Sequence, residues 1–279
     1  PYQLYGSELV AVCAATGTDY VDLCGEPAWM RQMIDAHGET AKQSGARIVF
    51  SCGFDSIPFD LGVYFLQEAA KKQLGKTLPR VKGRVRKMKG TFSGGTAASL
   101  KATLIAAKQN PEIYQLLGNH FALTPGFIMA AINTRNVHRS NALLGHAYGE
   151  DFVYDEMLLT GPGEQGEQIA NAVAGDKSLS GDSAPKPGEG PSKEERENGF
   201  YDVLFIGEDG AGKTLLASVS GKRDPGYGST SRMIAESAIC LVRDATDTAG
   251  GIWTTAPAMG DKLIKRLQEH AGLTFKLES

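Results

Sequence analysis

The residues best suited to chemistry lie in two short loops. In residues 48–60 (IVFSCGFDSIPFD), Gly53 lets a ligand approach the backbone, while Asp55 and Ser56 can hydrogen-bond a sugar hydroxyl or a carbonyl. Phe54 stands between them, and Pro58 suits the first turn of a helix whose N-terminus favours a nearby anion. The same residues also suit plain capping, in which Asp55 or Ser56 satisfies the first helical amides; a cap and a ligand contact are compatible. In residues 20–26 (YVDLCGE), Gly25 and Glu26 hold the equivalent place, and Glu26 is equally suited to favouring the start of the next helix.

Three further groups could supply substrate contacts. Ser93, Gly94, Gly95 and Thr96 form a small-residue turn that can floor a binding site or simply cap a helix. Asn133, Arg135 and His138 follow an apolar run; Arg135 could clamp a carboxylate or phosphate in two-pronged fashion, and His138 could move a proton near neutral pH. A structural salt bridge and a surface histidine are the ordinary fates of such residues. Tyr227, on the glycine-flanked loop DPGYGST, can donate a hydrogen bond or merely pack. The catalytic candidates are therefore Asp55, Arg135, His138 and Tyr227.

Positioning these groups requires a parallel sheet. Each of the first two loops follows a short apolar strand, at residues 20–23 and 47–51, and precedes a helix. In open parallel sheets ligands sit at the carboxyl ends of the strands, where both loops lie. Ser7 is placed to cap a helix stopped by Gly17, Pro27 opens a second helix, and Phe59, Val63, Leu66, Ala70 and Leu74 mark the buried face of a third. The glycine-rich phosphate turn of such a domain belongs ahead of these units, yet only about twenty residues precede the first strand, enough for one helix.

From about residue 80 the pattern changes to strands (81–90, 152–159, 201–206 and 214–220) with helices at 97–108, 233–242 and 259–270. The expected fold is α/β: residues 1–75 as the C-terminal part of a Rossmann-like domain, then residues 76–279 as a second, α+β domain with a mostly antiparallel sheet. A flexible insert is expected at about 161–190, most mobile at 176–186, with an ordered boundary at Ser192 and Glu195, which stand at capping-box spacing.

Composition narrows the function classes. A net charge of −3 offers no basic surface to nucleic acid. The basic run at residues 80–89 alternates with Val81, Val85 and Met88 as one solvated strand face. Four cysteines without metal-ligand spacing predict buried thiols, a reduced cytoplasmic setting and no metal. No stretch has the length and apolarity of a membrane span.

Residues 207–214 (GEDGAGKT) spell a phosphate loop, but Thr214 and its successors alternate as a strand, so a hairpin turn is expected and an NTPase is not. Residues 161–166 (GPGEQG) spell a dinucleotide fingerprint without the second strand it needs, and are expected to be a surface loop.

Several strings, in order and over nearly the whole chain, resemble the saccharopine dehydrogenase-like family, in particular its trans-acting enoyl reductase branch. They include TDYVDLCGE, SCGFDSIPFDLG, FSGGTAASL, MAAINTRNVHRSNALL, YGEDFVYDE, PGEGPSKEERENGF, SGKRDPGYGSTSRM and GGIWTTAPAMGDKLIKRL. The resemblance implies a Rossmann domain joined to a substrate and dimerisation domain, a homodimer, and hydride transfer from NADPH or NADH to a small-molecule or acyl substrate in lipid or glycolipid synthesis. The loop positions read above then put the cofactor at Gly25, Glu26, Gly53, Phe54, Asp55 and Ser56, and the further polar groups put the substrate at Ser93–Thr96, Asn133 and Arg135. The family's glycine fingerprint is not in this sequence, so the chain by itself is expected to hold the cofactor weakly and to leave a strand edge near residues 20–23 or 47–51 for a partner chain. A non-catalytic binding or dimerisation scaffold is the alternative.

Overall fold

The computed structural model describes residues 1–91, 93–109, 129–175 and 184–278. Most of the expected mobile stretch at 176–186 lies outside the described residues.

The N-terminal third forms α1 (Tyr2–Tyr5), α2 (Ser7–Thr16), β1 (Tyr20–Val21), α3 (Pro27–Ser44), β2 (Arg47–Val49) and α4 (Ile57–Leu74). Helix ends obey local chemistry: Pro27 and Pro58 stand in the first turns of α3 and α4, and Gly17, Gly45 and Gly75 end α2, α3 and α4 in the left-handed conformation. Ser7 does not cap α2 with its side chain; its hydroxyl instead accepts from Trp29 Nε1 at 2.9 Å, because α3 packs across this helix start.

The rest of the chain adds β3 (Arg80–Lys89), α5 (Gly94–Gln109), α6 (Ala130–Leu143), β4 (Val153–Leu158), α7 (Gly163–Ala174), α8 (Lys193–Asn198), β5 (Phe200–Glu208) and β6 (Thr214–Gly221). A single π turn, Pro225–Ser229, leads into α9 (Thr230–Arg243); β7 (Gly251–Trp253), α10 (Thr255–Arg266) and β8 (Leu273–Glu278) complete the described fold.

Two sheets result. A parallel one has the order β1-β2-β7, and a five-stranded one the order β4-β3-β5-β6-β8, antiparallel except for the β3–β4 pair. Strand β7 comes from the far end of the sequence and pairs with β2 through Ile48 and Ile252. Of the two expected edges, the one at residues 47–51 is excluded because β2 is flanked on both sides by the chain's own strands, while β1 stands at the end of the described sheet.

The five-stranded sheet packs one face on α4, burying Val81, Val85, Val203, Phe205 and Val219 completely. Each such side chain contributes about 1.5–3 kcal/mol. On the other face, Lys82 pairs with Glu208 and Arg86 with Asp202 and Glu278, while Arg80 and Arg84 share Asp155.

The turn at residues 209–213 joins β5 to β6, as the alternation of residues 214–220 predicts. Asp209 accepts from the amides of Ala211 (2.8 Å) and Lys213 (2.9 Å), so the glycines serve a hairpin and a strand, rather than a helix, comes next. The capping box forms too, Ser192 and Glu195 each binding the other's amide. The GPGEQG segment opens α7 rather than remaining a loop.

Candidate functional site

The loops after β1 and β2 are held together from below. Asp22 is buried and accepts from the amides of Cys24 and Ser51, each at 2.9 Å, while Ser51 Oγ donates to the Cys24 carbonyl at 2.6 Å. Burial raises the Asp22 carboxyl to about 6 against these donors. This brace directs Gly25 and residues 53–55 upward into a cleft of about 380 Å³.

The cleft gathers residues from distant parts of the chain. One wall holds Leu23, Gly25, Gly53, Phe54 and Asp55; another holds Ser93, Gly95, Thr96, Ser99, Leu100 and Thr103 at the start of α5. The end of β3 and its continuation supply Met88, Gly90 and Thr91, α6 supplies Ile132, and the π turn supplies Pro225, Gly226 and Tyr227. Thr230 pins two walls together: Phe54 N donates to its hydroxyl at 2.9 Å, and that hydroxyl donates to the Pro225 carbonyl at 2.7 Å.

Bare backbone is required where Asp55 and Thr230 crowd in. A Cβ on Gly25 would sit 3.0 Å from Asp55 Oδ2, and one on Gly53 would sit 2.7 Å from Leu23 and 3.0 Å from Thr230. Asp55 itself accepts no hydrogen bond from the described residues, and burial alone pushes its carboxyl up to about 7. Among the described residues it is the single carboxyl side chain on a lining otherwise made of hydroxyl and apolar groups, and that lining holds no Arg, Lys or His. Such a site can hold an uncharged ligand and pass it a proton near neutral pH.

No protein-family model matches the chain. A Mycobacterium tuberculosis protein named as a trans-acting enoyl reductase is 38% identical over 317 residues, covering 96% of this chain and 76% of that protein. A trans-acting enoyl reductase of Mycobacterium ulcerans is 33% identical over 320 residues with the same coverage. The chain belongs to the trans-acting enoyl reductase family. Among solved structures, apo saccharopine dehydrogenase (L-Glu forming) from Saccharomyces cerevisiae has a TM-score of 0.51 at 12% identity, covering 100% of this chain and 83% of that one, which shows a shared fold.

In this family member the sequence candidates divide. Gly25, Gly53, Phe54, Asp55, Ser93, Gly95, Thr96 and Tyr227 line the cleft. Glu26 is buried beside it, its carboxylate accepting from the amides of Tyr2 (2.8 Å) and Gln3 (2.9 Å) and from Ser99 Oγ (2.7 Å). Ser56 is buried below, accepting from Asn136 Nδ2 at 2.8 Å, and its side chain does not cap α4. Gly94 is buried behind the lining.

The polar group on α6 is not part of the described lining of the cleft. Asn133 is buried and donates to Glu156 Oε2 at 3.0 Å; burial raises that carboxyl to about 8. Arg135 donates to the Ala131 carbonyl within its own helix, and His138 is exposed with its ring 5.6 Å from that of Phe152. On α6, Ala131 and Ile132 reach the cleft while Asn133 turns to Glu156; Arg135, four residues after Ala131 and three after Ile132, lies on their side of the helix and donates to the Ala131 carbonyl.

Sequence reasoning missed Thr91, Ser99, Thr103 and Thr230. The spacing of Thr96, Ser99 and Thr103, three then four residues, marks a hydroxyl stripe on one face of α5 and could have exposed two of them. Cys24 and Cys52 are fully buried, and burial raises both thiols, so neither is a ready nucleophile.

Proposed function

We propose that this cleft is the active site of an NAD(P)-dependent oxidoreductase that reduces the carbon–carbon double bond of an unsaturated acyl group presented as a neutral thioester or ester. Asp55 carries the reading: it is a carboxyl without a hydrogen-bond partner among the described residues, raised to about 7, at the carboxyl ends of two parallel strands, in a described lining free of cationic side chains. A free carboxylate or an amino-acid substrate would meet no Arg, Lys or His on that lining. The names of the relatives point the same way.

The residues present fit the nicotinamide end of such a cofactor. Gly25 and Gly53 offer backbone walls on which a flat, uncharged ring can rest. When bound, the nicotinamide supplies the hydride. Hydride delivered at the β-carbon of the enoyl group would leave negative charge to be carried by the thioester oxygen. Hydroxyls of Tyr227, Thr91 and Thr96 are donors on the lining able to stabilise that oxygen. Asp55 then gives its proton to the α-carbon, the double bond becomes single, and the carboxylate recovers a proton from solvent. Loops of residues 1–75 serve the cofactor side in this scheme, and residues 76–279 contribute most of the substrate side.

The test is oxidation of NADPH or NADH by the protein in the presence of an enoyl thioester, monitored by absorbance. Turnover that requires the double bond, and that falls about 10²–10⁴-fold in Asp55→Asn, is expected. Turnover unchanged in that variant would remove Asp55 from the chemistry, and a free enoic acid reduced as fast as its thioester would remove the neutral-substrate reading.

A further inference from the structure

Residues 184–198 bridge two walls of the cleft without lining it. At one end the Gly94 amide donates to the Glu189 carbonyl at 3.0 Å, and a Cβ on Gly94 would fall 1.7 Å from the Lys186 carbonyl oxygen. The segment folds tightly here: Glu189 N donates to the Lys186 carbonyl, and Lys186 N to the Glu189 carboxylate, each at 2.8 Å. It is thereby fastened to the start of α5.

At the other end it meets Tyr227. A Cβ on Gly190 would sit 2.5 Å from an edge carbon of the Tyr227 ring. Immediately after, Arg196 Nη1 donates to the Pro191 carbonyl at 2.8 Å, and the Arg196 carbonyl accepts from Asp224 N at 3.2 Å. Asp224 is fully buried, and its carboxylate accepts from Tyr227 N (2.9 Å) and Gly228 N (2.6 Å). One segment thus touches the Tyr227 ring directly and, through Asp224, the turn that carries it. The Tyr227 hydroxyl makes no hydrogen bond with the described residues, so packing rather than a polar partner orients the ring.

We propose that residues 184–198 are a positioning strap for Tyr227, and that Gly190 is the positioning residue whose missing side chain leaves room for the phenol to stand in the cleft. A methyl group at position 190 lies inside contact distance of the ring, and the ring is the freer of the two to move. The strap therefore tunes the placement of one hydrogen-bond donor rather than the stability of the fold. Its kinetic consequence rests on the reductase reading of the cleft; its structural consequence does not.

The experiment compares Gly190→Ala, Tyr227→Phe and the double variant in the enoyl thioester assay, with nitration of Tyr227 by tetranitromethane read by peptide mapping against exposed Tyr5. Gly190→Ala is expected to lower kcat/KM about tenfold with an unchanged Tm, and the double variant to be no slower than Tyr227→Phe alone. The Tyr227 to Tyr5 nitration ratio is expected to change at least threefold in Gly190→Ala. Glu189→Gln, which loosens the turn without crowding the ring, should move both readouts in the same direction by a smaller factor and serves if Gly190→Ala fails to fold. Multiplicative losses in the double variant, or an unchanged nitration ratio, would overturn the strap. Absence of any reductase activity together with a changed nitration ratio would uphold the strap and reject the reductase reading.

Discussion

Asp55 and Asp60 flank the start of the same helix, Asp60 fully buried and Asp55 half-buried at the cleft, and their surroundings are opposite. Asp60 is 1% exposed and accepts from Ser140 Oγ (2.5 Å), Thr255 Oγ1 (2.7 Å) and Ala256 N (2.9 Å). These donors belong to α6 and to the start of α10, whose own cap residue Thr254 makes no side-chain cap bond. Asp60 therefore ties α4, α6 and α10 together and serves as the missing cap. Burial raises its pKa while the donors pull it down. Asp55 has burial without donors among the described residues, and it faces a cleft. Partner supply, together with access to the cleft, separates a structural carboxylate from one available for chemistry.

The comparison breaks most visibly in paired variants. Asp55→Asn is expected to cost about 10²–10⁴-fold in turnover while leaving the urea midpoint at neutral pH equal or higher, since it removes a desolvated carboxyl without stranding any donor. Asp60→Ala is expected to do the reverse. Stranding Ser140, Thr255 and the Ala256 amide should lower stability by about 3 kcal/mol in urea denaturation, with kcat/KM of the folded fraction within about threefold of the parent. A stability loss in Asp55→Asn as large as that in Asp60→Ala would erase the distinction.

The pH dependence of stability sharpens it. A carboxyl raised from 3.8 to about 7 binds its proton more tightly in the folded state, so the native protein carries more protons than the unfolded chain between those values. The Asp55 contribution to stability is full below pH 4 and is lost as pH rises toward and through 7. Asp55→Asn should therefore flatten the decline between pH 4 and 7, leaving the variant about 1 kcal/mol or more ahead of the parent at pH 8. An unchanged slope in equilibrium unfolding would count against a raised Asp55.

A smaller effect tests how the loop carrying Asp55 is held. Thr230→Val removes the acceptor of Phe54 N and the donor to the Pro225 carbonyl, which should cost about 1–2 kcal/mol and a fewfold loss of turnover. The same substitution should not alter the Asp60 cluster, so its loss should add to that of Asp60→Ala.

Much of this was legible in the residues themselves. Pro27, Gly17 and the Ser192–Glu195 box state where helices begin and end, and the alternation of residues 214–220 distinguishes the hairpin from a phosphate loop. That the two glycine loops would lie together at one end of the parallel strands was legible because strand-then-glycine is a local signal. What escaped depends on contacts between distant positions. β7 is three residues long and shows its role only when paired with β2. Asp60 reads as an ordinary residue of a helix start until Ser140 and Thr255 are brought to it.

The central claim is that Asp55 holds a proton near neutral pH because no described residue stabilises its charge. Carboxyl carbon NMR of the ligand-free protein, with Asp55 assigned by its loss in Asp55→Asn, measures this directly. A titration midpoint near 7 is expected; a midpoint near 4, the ordinary aspartate value, would contradict the account.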